Sequence, residues 1–436
     1  MTWNSLPADA DEGHGVTERG DAMNAAVIWS EHFMDYKWAY THPMSPVRLA
    51  LTMSLSRSLG VLDGVETAEP LSVDDSVLTT VHSQGYVDAV RAVSHGAASV
   101  NGPVLERLFG LGSADNPIFE GMHDAGSMLV GGSLAAARAI ASGTVRRAVN
   151  IGGGMHHAMK GHAAGFCIYN DCAIAIEWLL ANGYDRIAYI DVDAHHGDGV
   201  QAQFENDPRV MTVSLHQHPA TLWPGTGWPT EVGQGDAAGT AVNVGLMPGL
   251  GDRLWLRAFH AVVPSMVAAF KPQILVTQIG VDSHRDDPLT DLALTVEGHA
   301  AAVRALRSLA DEHCEGRWLA VGGGGYGVVN VVPRSWTHLI AAALDRDVAP
   351  TTPIGDEWLT AARELGSTVH PDYARPPEAT MGDGGSVDYV PWDGDAGAEP
   401  PPGVAEAAQR QTDKAIIATR RAVFPLHGLD PEDPRD

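Results

Sequence analysis

Residues 190–199 read IDVDAHHGDG and continue the apolar run RIAYI (186–190). A buried strand does not ordinarily end in Asp191, Asp193, His195, His196 and Asp198. Side chains alternate along a strand, so Asp191 and Asp193 share one face and His195 follows just past the strand end. Two buried, unpaired carboxylates would cost several kcal/mol each unless a cation compensates. Asp282 closes a second apolar run, ILVTQIGVD (274–282), in the same way. Two aspartates and a histidine with an open coordination position match a catalytic divalent site for zinc or Fe(II). One strand-end aspartate alone would more simply be a cap or half of an ion pair; the constellation points to a metal.

Two further groups suit metal-assisted hydrolysis. The first is Gly152-Gly153-Gly154-Met155-His156-His157. Adjacent loop histidines rarely both serve packing, and hydrolysis needs a base to take a proton from water and an acid for the leaving group. Asp191 and Asp198 can each accept an imidazole N–H and so set tautomer and basicity. The second is Gly322-Gly323-Gly324-Gly325-Tyr326. Four glycines allow close backbone approach, and Tyr326 offers a phenolic donor to a developing oxyanion. The plainer alternative is a tyrosine at a tight turn.

These groups need a scaffold that gathers them. Strand candidates are AAVIWS (25–30), RAVNIGG (147–153), RIAYIDVD (186–193), VMTVSLH (210–216), AVNVGL (241–246), ILVTQIGVD (274–282) and WLAVGGGG (318–325). Several are apolar almost throughout, as in a parallel sheet covered on both faces. Helical patterns lie between them at 125–143, 171–180, 252–270 and 295–313, with Asn170 a good N-cap and Thr295-Val296-Glu297 resembling a helix start. Alternation of this kind predicts an α/β fold with a single open, mainly parallel sheet flanked by helices. In such sheets ligands bind beyond the carboxyl ends of strands, where the histidine, aspartate and glycine clusters fall.

The chain has 436 residues, 44% of them hydrophobic, ample for one large domain plus a tail. Its net charge is −26. An acidic surface repels nucleic acid and anionic membrane and attracts basic partners such as lysine-rich peptides. The three cysteines, Cys167, Cys172 and Cys314, form no C-x-x-C pair, and an odd count suits a reducing compartment. No apolar run of about 18 residues or an apolar leader is seen, so the expectation is a soluble cytoplasmic protein. Residues 1–24 read as disordered and 25–347 as the catalytic domain. Residues 348–436 read as a Pro/Gly/acid-rich extension that wraps or dangles and ends in a helix over 404–423.

In family order across about residues 25–345, the stretches HPMSPVRL (42–49), DNPIFEG (115–121), GGGMHHAMKGHAAGFCIYND (152–171), IDVDAHHGDGVQAQF (190–204), PGTG (224–227), GVDSHRDDPL (280–289) and GGGGY (322–326) resemble the zinc-dependent histone deacetylase family, of the arginase–deacetylase fold. Within it the chain is most similar to the bacterial acetoin utilization deacetylases. The resemblance implies Asp193, His195 and Asp282 as zinc ligands. It implies His157 as general base and acid, His156 as mainly electrostatic, Asp191 and Asp198 as their supports, and Tyr326 as the oxyanion donor. Phe166 and Trp223 match the aromatic walls of an acyl-lysine tunnel, with Gly165 and Leu289 beside them, and Asp115 matches a rim acid. Trp223, in LWPGTG, stands where the family commonly has phenylalanine. The family also carries potassium sites. The inner one would use Asp191, Asp193, His195, Ser214 and Leu215, and the outer one Phe204, Asp207 and Val210. His284 differs from eukaryotic members and either lines the site or caps a turn, the turn being simpler.

The implied reaction is hydrolysis of Nε-acetyl-lysine in an acetylated protein or peptide, with acetyl-coenzyme A synthetase the kind of substrate the acetoin group suggests. An acetylpolyamine amidohydrolase is an alternative, since an acidic protein attracts polycations too. An arginase-like ureohydrolase would need two manganese ions and a further Asp-x-Asp pair, where this chain has Asp282-Ser283-His284. A non-enzymatic acyl-lysine binder would be expected only if a ligand or Tyr326 were lost.

Overall fold

Each of the seven apolar runs contributes a strand: β1 (Ala25–Val27), β2 (Arg147–Asn150), β3 (Ile187–Asp191), β4 (Val210–Gln217), β5 (Ala241–Leu246), β6 (Ile274–Gln278) and β7 (Trp318–Val321). In this computed structural model, which describes residues 25–96, 102–394, 400 and 403–436, they form one sheet of order β1-β2-β7-β6-β3-β4-β5. The expectation of disorder over 1–24 lies outside the described residues. All strand pairings are parallel and every strand residue is buried, as a sheet covered on both faces requires.

The strand order positions the chemistry. β2, β7, β6 and β3 are neighbours although far apart in sequence. Their last residues are in register, Asn150 opposite Val321, Val321 opposite Gln278, and Gln278 opposite Asp191. The segments 151–157, 322–326, 279–282 and 192–198 therefore leave the sheet at one level and one edge. This is the crevice beyond the carboxyl ends at which open α/β sheets bind ligands.

Five strands, β1, β2, β3, β6 and β7, are shorter than their apolar runs suggest. After Asp191 and Gln278 the ladders stop where side chains take over backbone donors. Asp193 N–H donates to Asp191 Oδ1 (3.1 Å) and Gly280 N–H to Gln278 Oε1 (2.7 Å). Asp191 and Asp193 thus do not share the face of a strand as strand alternation would have it. Asp193 lies past the ladder, free to turn toward its partners.

The expected helices form over Met122–Ala141, Asp171–Ala181, Asp252–Phe270 and Val296–His313. Asn170 caps the second through Ala173 N–H, and Thr295 caps the fourth through Gly298 N–H. Val47–Ser58 and Val332–Ala343 are further helices outside the four expected ranges. All of Val332–Ala343 is buried, including its polar residues Arg334, Ser335, Thr337 and His338.

The described part of the extension wraps and does not dangle. An unanticipated helix, Asp356–Gly366, buries Trp358 and Leu359 in a cluster with Leu51 and Leu55. The last helix runs Glu406–Val423 and is tied to Asp252–Phe270 by a buried ion pair, Arg257 Nε to Asp413 Oδ1 at 2.7 Å. Arg420 is buried beneath Trp392 and Phe424 and donates to Ala261 O (2.6 Å). The three cysteines are buried free thiols. Among the described residues, no helix is long and apolar enough to cross a membrane.

Candidate metal centre and its histidine pair

Asp193, His195 and Asp282 converge, with one donor atom from each lying within 4.8 Å of the others. His195 Nδ1 is 2.8 Å from Asp282 Oδ2 and 3.1 Å from Asp193 Oδ1. The second oxygens are held from behind. Asp193 Oδ2 accepts from Gly324 N–H (2.7 Å) and Gln278 Nε2 (2.8 Å), and Asp282 Oδ1 accepts from Ala194 N–H (2.7 Å). Burial and the nearby Asp193 push the Asp282 carboxyl up to about 6. Two wholly buried carboxylates and an imidazole aimed at one point fit a divalent cation with room for a water or substrate. Gly324 makes this possible, since a Cβ there would lie 2.2 Å from Asp282 Oδ2.

The histidine pair stands beside the three donors, and the two rings face different partners. His156 Nδ1–H donates to Asp191 Oδ2 and His157 Nδ1–H to Asp198 Oδ1, both at 2.7 Å. Asp191 Oδ2 also accepts from Tyr189 O–H (2.7 Å), and Asp198 Oδ1 from Gly199 N–H (2.9 Å). In each imidazole Nε2 is left toward the site. Burial opposes charge on His156, but Asp191 and Asp193 outweigh it and raise the ring to about 9. Burial and the adjacent His156 lower His157 to about 4 against the pull of Asp198. At neutral pH, His156 is therefore the charged member and His157 the free base. Two titratable neighbours pushed apart in this way divide electrostatic and proton-transfer roles.

Tyr326 is buried, and its ring meets Phe166 edge-on at 5.6 Å. Its N–H donates to Asp287 Oδ2 (2.7 Å), and Arg48 Nη1 donates to Gly325 O (3.0 Å), fixing the glycine run. Burial, Asp282 and Asp193 hold the Tyr326 phenol well above its ordinary range, so it remains a proton donor. Phe166 has φ 67°, held by Tyr36 O–H donating to Phe166 O (2.8 Å). Such strain in a non-glycine residue persists where surrounding structure over-determines it. Trp223 is 46% exposed, and its ring lies 4.6 Å from that of His157. Leu289 is half-buried in the turn whose Asp287 receives its N–H (3.0 Å). Asp115 is exposed. Its carbonyl accepts from His42 Nε2 (3.1 Å), and the His42 ring packs on Phe166 at 4.7 Å, which places Asp115 near the Phe166 wall.

Gly165 has φ 50°, and a Cβ there would lie 2.4 Å from His157 Cδ2 and 2.8 Å from Trp223 Cη2. Gly165→Ala should therefore push the base and the tryptophan apart. We expect kcat/KM to fall at least about tenfold, from an overpacking cost of roughly 1–3 kcal/mol, with metal content unchanged. Steady-state kinetics with parallel metal analysis checks this.

The other expected residues are spread more widely. Asp191 and Ser214 are cross-strand partners, with Leu215 next along β4 and Ser214 Oγ 2.8 Å from His216 Nδ1. Phe204, Asp207 and Val210 follow one another around a turn, Asp207 N–H donating to Phe204 O (2.9 Å) and Val210 N–H to Asp207 O (3.2 Å). The Asp207 carboxylate is paired with Arg209 (2.6 Å), leaving main-chain oxygens as the donors there. His196 faces away, to Thr226 Oγ1 (2.8 Å) and Gln201 Oε1 (3.0 Å). His284 does cap a turn, its Nδ1 accepting Asp286 N–H (3.0 Å), while its Nε2 reaches Asp383 in the extension (2.8 Å).

Several residues that build the site have no site role legible in the sequence. Gln278 orients Asp193. Asp171 accepts Gly154 N–H (3.0 Å) and Met155 N–H (2.8 Å) and so shapes the glycine loop before the histidines. Asn170 donates to His156 O (3.3 Å) and Ala158 O (3.0 Å). Asp287 seats Tyr326. A polar residue in an apolar strand, as Gln278 is, was the one signal available.

The chain is similar to known proteins over most of its length. A sequence profile for the histone deacetylase domain matches residues 42–343. The chain is 38% identical over 337 residues to the acetoin utilization protein AcuC of Bacillus subtilis (strain 168), covering 77% of this chain and 86% of that protein. It is 37% identical over 333 residues to AcuC of Staphylococcus xylosus, covering 76% and 86%. The crystal structure of an HDAC homolog complexed with SAHA superposes with a TM-score of 0.75 at 27% identity, covering 90% of this chain and 99% of that one. An HDAC homolog from Aquifex aeolicus gives 0.74 at 26%, with the same coverage.

Proposed function

We propose that this chain, which belongs to the histone deacetylase family, hydrolyses the Nε-acetyl-lysine amide of protein substrates. Its fold is the arginase–deacetylase fold, and it is a hydrolase of the acetoin utilization type. The observation that carries the lysine-deacetylase reading is a pair of buried histidines, each bonded to its own carboxylate at 2.7 Å, set beside a three-donor metal site with Tyr326 nearby.

Asp193, His195 and Asp282 would hold the metal, zinc or Fe(II). When bound, it supplies Lewis acidity and a water of lowered pKa. His157 Nε2 takes a proton from water while Asp198 fixes its Nδ1–H. The resulting hydroxide oxygen bonds to the acetyl carbonyl carbon, and Tyr326 O–H donates to the carbonyl oxygen as charge develops there. His156, protonated and braced by Asp191, stabilises the same negative charge. The C–N bond then breaks, and His157 returns its proton to the lysine nitrogen, giving acetate and free lysine. Phe166 and Trp223 would flank the acyl-lysine stem, and Asp115 would bind substrate backbone at the rim. Potassium would sit at Asp191, Asp193, His195, Ser214 and Leu215, and again at Phe204, Asp207 and Val210.

The substrate in this reading is an acetylated metabolic enzyme such as acetyl-coenzyme A synthetase, met in the cytoplasm. The names of the AcuC relatives support a link to acetoin use. The net charge of −26 also suits acetylpolyamines, which makes them the second reading. A ureohydrolase fits poorly, because His284 is bonded to Asp383 and not turned to a second metal. Assays on an acetyl-lysine peptide and on acetylspermidine, after zinc or Fe(II) loading, test the proposal. Faster turnover of the peptide is expected. Preference for acetylspermidine would move the substrate class, and no turnover of either would end the deacetylase reading.

A further inference from the structure

We propose that Asp383, in the C-terminal extension and outside the matched domain, is a positioning residue that holds both the loop of ligand Asp282 and the Tyr326 turn. Its side chain is 4% exposed. The carboxylate accepts from His284 Nε2 (2.8 Å), Arg334 Nη1 (2.7 Å) and Val296 N–H (2.9 Å). Asp383 N–H and Gly384 N–H in turn donate to Glu297 (3.0 and 2.8 Å), so the segment is locked from both sides. Three elements of the domain thus meet on one side chain that the domain itself does not supply.

Two of those elements lead to the site. His284 is two residues past Asp282 and receives Asp286 N–H on Nδ1 (3.0 Å), so its ring links Asp383 to the turn 284–287. That turn carries Asp287, which accepts Tyr326 N–H (2.7 Å). Arg334 opens the helix after Tyr326, and its Nε donates to Asn330 O (2.6 Å). Removing the Asp383 charge leaves a buried guanidinium without its counter-ion and the imidazole without its acceptor, so both loops lose their common anchor. Residues that directly support metal ligands are worth about 10–100-fold in affinity or rate. Asp383 acts one residue further out, which sets the expectation near the lower end.

The experiment uses the full chain, with Zn(II) affinity measured by chelator competition, thermal stability, and kcat and KM on an acetyl-lysine peptide. Asp383→Asn should weaken zinc about tenfold and lower kcat comparably, with KM moving less than about twofold. Asp413→Asn breaks an equally buried ion pair of the extension, remote from the site, and should lower the melting temperature with zinc affinity unchanged. If Asp383→Asn does not fold, Asp383→Glu, which shifts the carboxylate by one methylene, carries the same expectation. Zinc affinity within about twofold of the parent, or an equal loss in Asp413→Asn, overturns the proposal. The kcat arm rests on the deacetylase reading, whereas the zinc arm does not, so the two failures are distinguishable.

Discussion

His195→Ala is expected to abolish metal binding and hydrolysis together. His195 supplies the only imidazole of the three donors, 2.8 Å from Asp282 and 3.1 Å from Asp193. Without it, two fully buried carboxylates face each other with the nearby His156, 4.0 Å from Asp193 Oδ2, offsetting only part of their charge, an arrangement that costs several kcal/mol. Burial and Asp193 already push Asp282 up to about 6, so protonation of this pair competes with metal capture. The neighbouring His196→Ala is the contrast. It removes contacts to Thr226 and Gln201 and should cost roughly 1–3 kcal/mol of stability while retaining the metal. Metal analysis of the purified variants with a peptide assay separates the two. A stoichiometric, tightly held zinc in His195→Ala would refute the ligand assignment.

His157→Ala is expected to lower kcat by about 10²–10⁴ while the metal stays bound, because it removes the group that takes and returns the proton. The pH profile carries the sharper test. His157 is lowered to about 4 by burial and by His156, so its free base is present above that pH and lost as pH falls through it. Asp198 pulls the other way, so Asp198→Asn should move the acidic limb to still lower pH and weaken the base. His156 is raised to about 9 by Asp191 and Asp193 against burial, so its charge is present below that pH and lost as pH rises through it. Asp191→Asn should therefore shift the alkaline limb toward neutrality. An alkaline limb that stays put in this variant would remove His156 from its electrostatic role.

Local pattern carried much of this molecule. Continuous apolar runs such as VMTVSLH and ILVTQI mark strands buried on both faces, because burial on two sides leaves no polar alternation. Acids at the ends of such runs mark Asp193 and Asp282, because a buried carboxylate needs a cation. Paired histidines after a glycine run mark His156 and His157. Each of these signals is a residue type read against its immediate neighbours.

The tertiary structure decided everything that depends on which strand lies beside which. β2, β7, β6 and β3 became neighbours out of chain order, and only that places MHH, GGGGY, Asp282 and Asp193 at one edge. The supports of Asp193 come from Gln278 and Gly324, separated from it by 85 and 131 residues, distances over which no spacing rule operates. The same holds for the histidines. Residue type and spacing made them alike, and only the family resemblance told them apart; burial and the particular carboxylates around each ring drive one to about 9 and the other to about 4. It holds too for the extension, whose Pro/Gly/acid composition reads as loose chain yet delivers Asp383 into the core. Composition reports how a segment interacts with water, whereas its place in the fold is set by partners that only the folded chain brings within reach.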